Sequence, residues 1–141
     1  MTHIADLNND CYFARGPRLR AIGWLEGDKE FEVGPVNRDL VALLREHVKN
    51  RFVIIDFMGG QTCTLCRGSS GPYGSGELII PASEVCYVAP VLVVHYVEIH
   101  RYRPPTEFVA AVEACPPQRS PAYMSLVAPF LKELEPHRGK K

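Results

Sequence analysis

The apolar positions of the chain fall into short runs whose spacing changes from strand-like to helical and back. Residues 1–17 are polar and end on Gly16-Pro17, which predicts an N-terminal arm or loop. Residues 19–25 (LRAIGWL) predict a strand stopped by Gly27-Asp28. Residues 30–33 (EFEV) alternate polar and apolar and are expected to pair with that strand across the turn. Asn37 is a good N-cap, and Leu40, Leu43, Leu44 and Val48 then recur at helical spacing, predicting a helix over 38–50. Residues 52–58 (FVIIDFM) predict a buried strand ended by Gly59-Gly60, and the glycines and proline of residues 61–76 predict an irregular loop.

Residues 77–81 (ELIIP) and 85–88 (VCYV) predict a hairpin turning through Ala82-Ser83-Glu84. Pro90 suits the first turn of a helix over 91–102, and Pro104-Pro105 stops that helix and starts another over 106–114, with Phe108, Val109 and Val112 inward. Ser120-Pro121 reads as a cap and first-turn proline of a last helix ending near Leu134, followed by a frayed tail over 136–141. Strands and helices mix without a regular βαβ alternation. The expected fold is therefore α+β, a small mixed sheet with C-terminal helices, in one domain spanning 1–141.

Composition changes this picture little. Hydrophobic residues make up 46% and charged residues 23%, which fits a globular domain and excludes disorder as the dominant state. Sixteen basic residues balance sixteen acidic ones, so nothing marks a strong nonspecific nucleic-acid binder. The start of the chain lacks a basic segment followed by an apolar one, and the apolar run around 85–97 is short and interrupted by Pro90 and His95. A cytoplasmic protein with no membrane span is expected.

The five cysteines carry the chemistry. An odd number argues against a complete disulfide framework, and in a reducing compartment a CxxC reads as metal or redox chemistry. Cys63-Thr64-Leu65-Cys66, with Gly68 close behind, has the form of a zinc knuckle, in which two sulfurs converge on one ion. A closed structural zinc needs four ligands, and His95 and His100 in HYVEIH are the candidates for the other two. Their H-x4-H spacing serves only if the helix loosens after the first histidine. A hairpin lies in the 28 residues between Cys66 and His95, giving the knuckle, hairpin and helix order of a treble-clef-like unit.

Other readings of these residues exist. His95 could be a satisfied core histidine and His100 a group favoured by the helix dipole. Cys86 and Cys115 lie in apolar segments and read as small buried hydrophobes, available as substitute ligands, while Cys11 has no evident role. The segment FVIIDFMGGQTCTLC also resembles the active-site strand of thioredoxin, which would make the protein a dithiol oxidoreductase. The glycine-rich sequence after Cys66 and the missing βαβ scaffold oppose this. A metal-dependent hydrolase would need one open position on the metal and a base such as Glu98, although helical spacing turns Glu98 away from His95. Trp24, Tyr96, Tyr102, Phe108 and Tyr123 read as core rather than as an exposed partner surface.

Residues 20–117 resemble a group of small uncharacterised bacterial proteins. The resemblance rests on AIGWLE, on GGQTCTLC, and most specifically on YVAPVLVVHYVEIHRYRPPTEF over 87–108. Relatives often carry a histidine two residues before the first cysteine, where this chain has Gln61, and the resemblance implies no activity. The expectation is a structural zinc domain, with Cys63, Cys66, His95 and His100 as ligands, that acts by binding, with a protein as the expected class of partner.

Overall fold

A computed structural model describes residues 4–9, 16–27, 29–53, 61–66, 73–74 and 76–134, with Gln61 and Tyr73 as backbone only. Cys11, Gly68, the expected strand from residue 54 onward and the tail from 135 lie outside the described residues.

Three strands form a mixed sheet in the order β1 (Leu19–Ala21), β5 (Cys86–Pro90), β4 (Glu77–Pro81). β4 and β5 form the expected antiparallel hairpin, with Ile79 opposite Val88 and the turn closed by Ala82 N–H donating to the Val85 carbonyl. β1 pairs parallel to β5, Leu19 opposite Cys86. Alternation along each strand divides the core in two. Leu78, Ile80, Tyr87 and Ala89 face one side, together with Ile22 beyond the end of β1, while Leu19, Ala21, Ile79, Cys86 and Val88 face the other. Both faces are covered, which is why these strands read as nearly continuous apolar runs.

The first face is covered by α1 (Arg38–Lys49), α2 (Val93–His100) and α3 (Thr106–Ala114). Asn37 caps α1, its side chain accepting from the Leu40 N–H at 3.1 Å. The buried stripe of α1 is Leu40, Val41, Leu44 and His47; Leu43 is exposed and Val48 only partly buried. The second face is covered by α4 (Pro121–Val127), a 3-10 turn (Ala128–Phe130) and α5 (Leu131–Leu134), which pack with Trp24. The single last helix expected from the sequence is broken where Pro129 removes a donor and its ring crowds the preceding turn.

Four other expectations are corrected. The first strand is only three residues long, because Gly23 turns the chain with φ 76°. Residues 30–33 do not pair with it, since its free edge is taken by the N-terminal arm: Leu7 N–H donates to the Ala21 carbonyl and Ala21 N–H to the Asn8 carbonyl, both at 2.7 Å. Val33 instead bridges Tyr102, and Ile4 bridges Trp24. Within the expected loop, β2 (Gln61–Thr62) pairs antiparallel with β3 (Tyr73–Gly74). Pro90 ends β5 rather than opening a helix, so α2 starts at Val93, and it stops before Tyr102.

Candidate metal centre

The chain leaves β2 directly into the bend of Cys63–Cys66. The backbone N–H groups of Leu65 and Cys66 point back at the Cys63 sulfur. This bend is pinned from the segment after β1: Gly27 N–H donates to the Thr64 hydroxyl at 2.8 Å, and a Cβ on Gly27 would collide with the Thr64 carbonyl oxygen. Only glycine lets the two backbones approach so closely.

Helix α2 supplies both histidines, His95 in its first turn and His100 as its last residue. On an ideal helix residues at this spacing point well apart. The end of α2 is wound wider: the N–H groups of Arg101 and Tyr102 both bond the Tyr96 carbonyl, and Arg101 is left-handed at φ 59°. The loosening the sequence required is thus built into the helix terminus, where it brings the His95 and His100 rings to 4.9 Å between centroids, edge to face.

All four residues converge, with one potential ligand atom from each lying within 4.8 Å of the others. The Cys63 sulfur is 3.4 Å from His100 Nε2, and the Cys66 sulfur is 3.4 Å from His95 Nε2 and 3.5 Å from His100 Nε2. A tetrahedral zinc with ordinary bond lengths separates sulfur and nitrogen ligands by about 3.6 Å. The group could therefore hold a metal ion. Cys63 is 2% exposed and belongs to the core cluster of the first face, while Cys66, His95 and His100 are partly exposed.

Burial pushes the Cys63 thiol up, against the opposing pull of the Leu65 and Cys66 N–H groups. It lowers both histidines, and His100 lowers His95 further. Neutral imidazoles are the ligand form; the sulfurs must lose their protons on binding, so uptake of an ion releases protons.

The remaining sequence candidates separate from this cluster. Glu98 faces α1, with its carboxylate 3.1 Å from Arg38 and 2.6 Å from Arg45. Cys86 is buried on the opposite face of the sheet. Burial pushes the Cys115 thiol up to about 11, and that thiol donates to the Pro116 carbonyl. A thioredoxin-like first cysteine would open a helix that lowers its thiol; Cys63 sits in a bend and is shifted the other way. Trp24, Tyr96, Tyr102, Phe108 and Tyr123 are all buried, as expected. The contribution of Gly27 to this site was missed, because in sequence Gly27-Asp28 signals only a turn.

Among the described residues no helix is long and apolar enough to cross a membrane. The chain matches no curated protein and no solved structure. Residues 2–113, which include all four clustered residues, match the model of a domain of unknown function, DUF7919, and the chain belongs to that family.

Proposed function

We propose that the protein is a zinc-stabilised binding domain of the reducing cytoplasm, with Cys63, Cys66, His95 and His100 as a closed structural site and a protein as its partner. The observation that carries this reading is that three of the four sulfur to nitrogen separations are 3.4–3.5 Å, close to the edge of a zinc tetrahedron. Two thiolates and two neutral imidazoles suit zinc, and four protein ligands leave no open position for a substrate. The chain order of knuckle, β4–β5 hairpin and ligand-bearing α2, with β3 between knuckle and hairpin, supports a treble-clef-like reading. Glu98, held by two arginines of α1, tethers helices rather than serving as a base at the metal.

The test is metal analysis by plasma mass spectrometry on protein purified in reductant without a metal-affinity tag. About one zinc per chain is expected, lost in both Cys63→Ser and His95→Ala. Zinc lost in Cys63→Ser alone would keep the knuckle and remove the histidines. Metal-free reduced protein would overturn the reading.

A further inference from the structure

We propose that this centre is also a release switch, in which a hydroperoxide closes Cys63 and Cys66 into a disulfide and discharges the ion. The inference rests on the zinc reading above and adds its regulation.

Both sulfurs come from one bend, so joining them needs no movement between elements, and they already lie within 4.8 Å of each other. Their exposures differ in the useful sense: Cys66 is partly exposed, where a small oxidant can reach it, and Cys63 is buried behind it. They are also the only anionic ligands, since His95 and His100 bind as neutral imidazoles. Once the sulfurs are joined, only the two imidazoles of α2 are left to hold the ion. Among the described residues no third thiol can take over: Cys86 lies on the far face of the sheet, and Cys115 is bonded to its neighbouring carbonyl.

The chemistry balances with hydrogen peroxide as the named oxidant. The Cys66 thiolate attacks one peroxide oxygen, the O–O bond breaks, and a sulfenic acid and hydroxide result. The Cys63 thiolate then attacks that sulfur, forming the S–S bond and expelling a second hydroxide. Two protons from solvent convert the hydroxides to water. The sulfurs give up two electrons to the peroxide, and the zinc leaves unreduced as a divalent ion.

The experiment uses the full, zinc-loaded chain. Hydrogen peroxide is added stepwise, released zinc is followed with a chromogenic chelator, and the cysteines are mapped by mass spectrometry without reduction. The expected result is about one zinc released for each disulfide formed, the disulfide mapping to Cys63 and Cys66. Dithiothreitol with added zinc should restore the loaded protein, and a Cys86→Ala/Cys115→Ala variant should release at the parent rate. Zinc retained after Cys66 is oxidised, release through a disulfide to another cysteine, or release only with sulfinic acid would each overturn the switch while leaving the zinc reading intact. Reduced protein that never carries zinc would instead overturn the zinc reading, and the switch with it.

Discussion

Gly27 shows how one missing side chain can support a site it does not line. Its N–H holds the Thr64 hydroxyl, and its bare Cα lets the Thr64 carbonyl sit where a methyl would otherwise be. Gly27→Ala is expected to destabilise the protein by about 1–3 kcal/mol, the usual cost of an overpacked contact, and to speed zinc loss to a competing chelator. Urea unfolding and chelator competition measure the two effects; unchanged zinc retention would show that the knuckle keeps its shape without this contact. Arg101 is the complementary case, a non-glycine residue held left-handed at the end of α2, next to His100. Such a backbone costs roughly 1–2 kcal/mol.

Between elements, two polar links join parts that apolar packing alone would leave free to slide. His47 of α1 is 6% exposed and Gln118, in the turn before α4, is 7% exposed. Gln118 Oε1 accepts from the Phe52 N–H at 2.8 Å, and its amide nitrogen lies 3.3 Å from both the Ile79 carbonyl, to which it donates, and His47 Nδ1. The amide is therefore fixed with its donor toward His47, which must present an unprotonated nitrogen. Burial holds this imidazole below its ordinary 6.5. The unfolded chain thus binds more protons than the folded one below 6.5, and the contribution of His47 is complete above that pH and lost as pH falls through the depressed folded value. Glu77 acts in the opposite sense. Burial raises its carboxyl from 4.5 to about 7, so its contribution is present below 4.5 and lost as pH rises through 7. Comparing His47→Gln with the parent isolates the histidine. The variant should lose less stability than the parent between neutral and mildly acidic pH in urea titrations, and an equal loss in both would assign the slope elsewhere.

Glu98 is the second link, shared by Arg38 and Arg45 across α1 and α2. The arginine side chains are 71% and 59% exposed, so Glu98→Gln should cost only about 0.5–1 kcal/mol. Its zinc content should match the parent's; loss of the metal would show that the carboxylate supports the centre directly.

Across the whole molecule, the sheet separates the face that carries the Cys63, Cys66, His95 and His100 cluster from the face behind it. Cys63 packs with α1, α2 and α3, whereas Trp24, the chain's single tryptophan, packs with Tyr123, Val127 and Phe130 behind the sheet. Stripping zinc with a chelator should therefore raise amide exchange first in the knuckle and α2. Trp24 emission should hold until the protein unfolds globally, because its Nε1 bond to the Val88 carbonyl and its apolar neighbours lie on the other face. An emission shift in step with metal loss would show the two faces to be one cooperative unit.

Local chemistry in the chain was enough for the helices that carry their own signals. Asn37 before the leucines of α1 and Ser120-Pro121 before α4 state their caps outright, and Pro104-Pro105 marks the start of α3. The β4–β5 hairpin was legible from two short apolar runs and the gap between them. The four clustered residues were legible too, since CxxC and H-x4-H are patterns of ligand type and spacing, independent of how the rest of the chain folds. Strand partners could not be read in this way, because the pairing at an edge depends on which segment the rest of the fold brings to it: the arm covers β1, and Val33 goes to Tyr102. Nor could the identity of α1's buried stripe, since His47 is satisfied inside by groups far along the chain, the Val112 backbone and Gln118, 71 residues away. The convergence of sulfurs and imidazoles was likewise decided in three dimensions. Sequence spacing set which atoms were available, but the widened end of α2 and the grip of Gly27 on the knuckle set the distances between them, and both depend on contacts between distant parts of the chain.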